Sequence, residues 1–310
     1  MTASARTDAS TAHRGLKLPD LGLLLLMQAV WGGSFVFTKL AMFEIPPLLF
    51  VALRFLIVSL LLMRFLRWHP GQMHLVAGIS FFTGALHFGL MNTGLAMAED
   101  VAPVAIFVQL GVPFATLLSV FVLHERLGIW RISALIVAFS GVLVVGFDPA
   151  VFKYANALVF VAIGAFVMAV GTIFMRQVRG VPVYDMQAWI AIFAWPPLLV
   201  ASLIFEGDPV PPLLSAGLAG WGGLLFVVLG TSLIGHAAYF YIMQRYEVGL
   251  TAPFMLLAPI LGAAGGALFL GDVITWRMIV GGAMTLIGVL IITMREGRRR
   301  PSAKVSDVAL

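Results

Sequence analysis

Ten long apolar runs, each about 20 residues and parted from the next by a short polar break, constrain this chain more than any other feature. They fall near residues 18–42, 47–66, 73–97, 101–123, 128–147, 155–175, 184–205, 217–244, 250–270 and 273–294. An α-helix rises 1.5 Å per residue, so about 20 residues carry it across the roughly 30 Å of hydrocarbon in a bilayer. The breaks hold turn formers such as Pro46-Pro47, His69-Pro70-Gly71, Asp148-Pro149 and Gly207-Asp208-Pro209. Only 11% of residues are charged, against roughly 25% in soluble domains, too few to clothe a water-facing surface. The expected fold is therefore all-α and integral to the membrane, with ten transmembrane helices.

Charge sets the expected orientation, because short cytoplasmic loops carry the excess of lysine and arginine. With the N-terminus inside, Lys39, Arg54, Lys153 and Arg277 lie towards the outer side, and the rest of the 19 basic residues fall inside. The acids run the other way: Glu44, Glu99, Asp100, Asp148, Glu206, Asp208 and Asp272 all fall outside. Both termini are expected in the cytoplasm, beneath a bacterial inner membrane. Much of the +5 net charge sits in the tails, which suits contact with anionic lipid and argues against a nucleic-acid partner. Cysteine is absent, so there are no disulfides, thiolate nucleophiles or Cys-based metal sites, and no metal or cofactor is expected. Residues 1–17 are polar and lack a signal-peptide cleavage pattern; they are read as a cytoplasmic tail before a retained first helix.

The second five runs echo the first five. The stretch from Trp31 to Lys39 resembles that from Met168 to Arg176, and Leu110-Gly111-Val112-Pro113 resembles Leu257-Ala258-Pro259. Leu123-His124-Glu125 precedes Gly141-Val142, as Leu270-Gly271-Asp272 precedes Gly288-Val289. Five is odd, so the halves are expected in opposite orientation: inverted repeats at 18–148 and 149–294, followed by a basic cytoplasmic tail at 295–310. Such halves can rock about a midplane site and expose it to each side in turn.

Trp31-Gly32-Gly33-Ser34 with Lys39, Pro47 with Arg54, Pro113, and Glu125-Arg126 followed by Gly141-Val142 occur here in a familiar order. By these motifs the chain resembles the ten-span EamA-type branch of the drug/metabolite transporter superfamily, over residues 18–294. The second half departs from the pattern, with Asp272-Val273 where a Glu-Arg pair is expected. Within the superfamily it is similar to bacterial amino-acid and metabolite exporters, particularly YddG-type exporters of aromatic amino acids. The resemblance implies a transporter and not an enzyme. Rival cargoes are drugs or organic cations, and nucleotide sugars or phosphate esters. A rival from another class is an intramembrane hydrolase using Ser34 and His236.

Polar groups inside hydrocarbon are costly, so each is a functional candidate until a structural use is found. Gln28 and Trp31 in span one, His87 in span three, Gln109 in span four, and His236 and Tyr239 in span eight fall near mid-depth by helical rise. Together they offer rings for a side chain and donors or acceptors for a polar end, and form the expected substrate-binding set. Each has a plainer alternative. The histidines and glutamines can bond neighbouring helices, Trp31 can pack at the Gly32-Gly33 crossing, and Tyr239 can be interfacial.

Lys39, Arg54, Pro113 and Pro259 form the expected gating and vestibule set. Lys39 can snorkel to water; Arg54, seven residues past Pro47, can attract a carboxylate or pair with a loop acid as a gate. Pro103 and Pro113 are expected to interrupt span four, and Pro253 and Pro259 span nine. No acid lies deep within a span, so proton coupling would have to use a histidine, and facilitated diffusion is the expectation. The expected partners are a small-molecule substrate and lipid, with the monomer as the working unit.

Overall fold

The computed structural model describes residues 16–125, 127–246 and 248–297. Arg6, Arg14, Arg126 and the basic residues from Arg298 onward, which entered the charge count, lie outside the described residues.

Ten helices are long and apolar enough to cross a membrane. They are α1 (Leu18–Ala41), α2 (Pro47–Phe65), α3 (Met73–Met97), α4 (Val101–Val122) and α5 (Ile129–Gly146). The second five are α6 (Ala155–Met175), α7 (Val183–Phe205), α8 (Leu218–Met243), α9 (Leu250–Leu270) and α10 (Trp276–Arg295). The largest departure from expectation is the start of α10, which the apolar run placed at 273. Gly271 ends α9 with a φ of 78°, and the helix restarts only where the Thr275 hydroxyl accepts from the Met278 N–H at 3.2 Å. A side-chain cap overrides the apolar pattern there.

The helices pack in a regular scheme. α1 lies against α8 and α9, α6 against α3 and α4, α2 against α7, and α5 against α10. Exchanging every helix for the one five places away leaves this scheme unchanged. Small residues permit the closest crossings. At Gly32 a Cβ would stand 2.6 Å from Leu261 Cβ and 2.8 Å from the Ala258 carbonyl, so only glycine lets α1 meet α9 this closely. Phe50, Val51 and Leu49 of α2 fill one core with Ala188, Ala191 and Ala194 of α7, while α4, α5, α6 and α10 share another.

Two of the four expected proline breaks are present. Helix α4 is broken at Gln109-Leu110 and α9 at Leu256, just before Pro113 and Pro259. Each proline lacks the N–H that would bond the carbonyl four residues back, on Gln109 and Met255. Pro103 does not interrupt its helix: it sits in the first turn of α4, where that N–H has no helical partner anyway. Pro253 lies inside the helical turns Val248–Met255 without ending them.

At the end of the bundle away from Leu18, the loop acids tie helices together. Glu206 accepts from the Leu48 and Leu49 N–H groups at the start of α2, at 2.7 and 3.0 Å. Glu44 accepts from Gly217 and Gly220 at the start of α8, at 2.9 and 2.7 Å. Asp272 accepts from Val101 at the start of α4, at 2.6 Å. Three carboxylates thus meet three helix N-termini, where orphan N–H groups and the positive dipole end favour an anion. Lys153 pairs with Glu99, and the Thr275 hydroxyl bonds Asp148.

Candidate functional site

The site is built on a local irregularity of α8. From Phe226 to Gly235 its backbone widens to i→i+5 bonding, and α3 does the same from Ser80 to Leu86. These two stretches run into a histidine, His236 in α8 and His87 in α3, whereas a third, Gly266–Leu270 of α9, runs into Gly271. Such bulges free backbone groups and turn side chains out of the regular helical register, and they recur at functional sites. In this protein the ring Nδ1 of His236 bonds the Thr231 carbonyl at 2.9 Å, and Nδ1 of His87 bonds the Gly164 carbonyl of α6 at 2.9 Å. A carbonyl only accepts, so Nδ1 must carry the proton, and in the neutral ring Nε2 is left as an acceptor.

Three of the six expected binding residues come together. The Trp31 ring centroid lies 5.8 Å from His236 and 5.6 Å from Tyr239. Gln28, one turn earlier on α1 and fully buried, donates to the Met255 sulfur at 3.2 Å, beside the break in α9. His87 makes no ring contact with these three and is held by α6, with Phe88 against its ring. Gln109 sits at the break in α4 and has no side-chain hydrogen bond to the other five.

Among the described residues, four buried atoms on α1, α7 and α8 have no hydrogen-bond or ion-pair partner: Gln28 Oε1, Trp31 Nε1, Gln187 Oε1 and Thr231 Oγ1. A buried polar atom left unmade costs about 1–3 kcal/mol, so these four are groups that gain if a substrate or another conformation supplies a partner. Gln187 and Thr231 were not among the expected residues. Gln187 is a lone amide in the apolar run of α7, and the rule that flagged Gln28 would have flagged it too.

Arg54 of α2 also reaches α8. Its Nε donates to Ser232 Oγ at 3.1 Å, and its guanidinium lies 4.6 Å from the Phe88 ring and 5.5 Å from the Phe55 ring. The expected pairing with a loop acid is absent among the described residues; Arg54 turns to Ser232, and Glu44 and Glu206 bond helix N-termini. Lys39 does not snorkel either. It is 6% exposed, and its ammonium donates to the carbonyls of Leu95, Ala96 and Ala98 at 2.9, 3.1 and 2.5 Å. It closes the C-terminal end of α3, where the helix dipole favours a cation. Pro113 and Pro259 lie just past the helix breaks described above.

Ser34 and His236 do not form a dyad. The Ser34 hydroxyl donates to the Trp31 carbonyl at 2.6 Å, and His236 turns Nδ1 to Thr231. Beyond the spans, burial raises the Asp272 carboxyl above its ordinary value, opposed by its bond from Val101. Burial likewise pushes the Tyr154 phenol up, helped by its 2.7 Å bond to Asp100.

The model of the EamA-like transporter family matches this chain twice, over residues 20–147 and 155–294. The chain belongs to the EamA-like transporter family. It is thus a multi-pass membrane transporter of the drug/metabolite transporter superfamily. This EamA-family chain is 27% identical over 296 residues to a "Probable amino-acid metabolite efflux pump" of Salmonella typhimurium, covering 92% of this chain and 97% of that protein. It is 26% identical over 277 residues to an Escherichia coli protein of the same description, covering 87% and 93%. An uncharacterized transporter of Bacillus subtilis, YoaV, is 25% identical over 289 residues. A crystal structure aligns with a TM-score of 0.62 at 18% identity, over 92% of this chain and 99% of that one, a likeness of fold.

Proposed function

We propose that this chain exports amino acids, aromatic or apolar ones above all, or related small metabolites, across the bacterial inner membrane. The meeting of Trp31, His236 and Tyr239 beside the widened turn of α8 carries this reading. Rings suit an apolar side chain, and the unpartnered atoms around them suit its polar end. The names of the Salmonella and Escherichia relatives support the same cargo class. In this reading Gln28, His87 and Gln109 complete the chamber as the halves rock. Residues 18–148 and 149–294 act as inverted repeats with both termini in the cytoplasm, and the breaks before Pro113 and Pro259 serve as hinges. The monomer is the transporting unit.

The acids of the described spans lie in first turns, Asp20 of α1 and Asp185 of α7. Without a deep carboxylate to carry a proton, transport runs down the substrate gradient. The test is flux of labelled phenylalanine, tryptophan and alanine into liposomes holding the purified protein, with and without a pH difference. Aromatic amino acids should equilibrate in both cases. No amino-acid flux would overturn the reading, and uphill accumulation that collapses with the proton gradient would overturn its energetics.

A further inference from the structure

Three basic side chains are buried within the described spans: Lys39, Arg54 and Arg131. Lys39 is spent on three carbonyls, and Arg131 stands 3.7 Å from Glu125. Arg54 differs. It is 5% exposed, yet its one hydrogen bond is from Nε to Ser232, and no carboxylate is in ion-pair contact with it among the described residues. Its two terminal nitrogens have no acceptor, and neither is among the unpartnered atoms sealed inside protein. A guanidinium in the low-dielectric interior calls for an anion, and its planar fork fits a carboxylate with two parallel bonds.

Ser232 holds a second polar arm. Gln187 of α7 donates from Nε2 to the Ser232 carbonyl at 3.2 Å, which fixes the amide orientation and leaves Oε1 unpartnered and enclosed by protein in this conformation. Around one residue of α8 there is thus a cation lacking an anion and an acceptor lacking a donor. The Trp31–His236–Tyr239 group begins one helical turn away, at His236.

We propose that Arg54 and Gln187 form the head-group subsite, Arg54 holding the α-carboxylate and Gln187 Oε1, enclosed in this conformation and uncovered as the halves rock, the α-ammonium of a free amino acid. The inference rests on the amino-acid export reading and narrows it to zwitterions with both groups free. Amides, esters and decarboxylated amines lack the anion that Arg54 calls for, and des-amino acids lack the donor for Gln187.

The test compares phenylalanine, phenylalaninamide and 3-phenylpropanoate as labelled substrates in proteoliposomes of the wild type, Arg54→Gln and Gln187→Ala. Charge-assisted hydrogen bonds are worth enough that the wild type should prefer phenylalanine over each analogue by about tenfold or more. Arg54→Gln should collapse the preference over the amide while keeping that over 3-phenylpropanoate; Gln187→Ala should do the reverse. The wild-type comparison needs no variant to fold, and a monodisperse profile checks each variant. Equal transport of all three compounds by the wild type overturns the subsite and leaves amino-acid export standing. Retained discrimination in both folded variants overturns it also. If the wild type moves none of the three, export of aromatic amino acids falls and the subsite falls with it.

Discussion

The indole of Trp31 occupies the space that a side chain on Gly235 would need: a Cβ there would stand 2.5 Å from Nε1 and 3.0 Å from Cδ1. Helix α1 therefore rests its largest candidate side chain on a bare turn of α8. Gly235→Ala should push the ring aside and lower transport of aromatic amino acids more than that of alanine. Trp31→Ala should do the same, since burying such a side chain is worth about 1.5–3 kcal/mol and half of that is a several-fold to tenfold loss of affinity. Because both act on one contact, the double variant should be little worse than the poorer single one. Additive losses, or equal losses for all substrates, would assign Trp31 to packing.

Lys39→Met tests whether the ammonium holds structure or gates. Three carbonyls at the end of α3 would lose their donor, a cost of roughly 1–3 kcal/mol. The expected result is a lower melting temperature in detergent, with transport per folded molecule close to the wild type. An unchanged melting temperature with abolished transport would return Lys39 to a gating role.

Asp272 should give a pH signature. Burial raises its pKa above the ordinary 3.8, with Asp100 adding to the rise and Val101, Ala102 and Lys39 opposing it. The folded chain then holds this proton more tightly than the unfolded chain. That contribution to stability is present at low pH and is lost as pH rises through the window above 3.8. Relative to Asp272→Asn, which cannot titrate, the wild type should lose stability across that window. Parallel melting-temperature profiles for the two proteins would contradict it.

Orientation is open to labelling, because the chain has no native cysteine. Asp208 and Lys153 are exposed at one end and Arg179 at the other, whereas Asp148 is 4% exposed and bonded to Thr275. Cysteines at Asp208 and Lys153 should react with an impermeant maleimide applied to whole cells, and a cysteine at Arg179 should react only after lysis. The opposite pattern would invert the proposed topology.

The ten helices were legible in the sequence because bilayer thickness acts on run length alone, and each apolar run says locally that it is long enough. Two of the proline breaks were legible too, since a missing N–H acts on the carbonyl four residues back in the same helix. The partners of the polar side chains were not. Lys39 reads as a snorkelling residue until α3 ends beside it, and Arg54 reads as a gate until Glu44 and Glu206 are found on the starts of α8 and α2. The widened turn of α8 has no marker in its composition, yet it brings Arg54, Gln187 and Trp31 to neighbouring residues of one helix. Periodicity and length belong to a single helix, so sequence alone determined the spans. Which buried groups meet depends on the faces of four helices at once, and only their packing decided that.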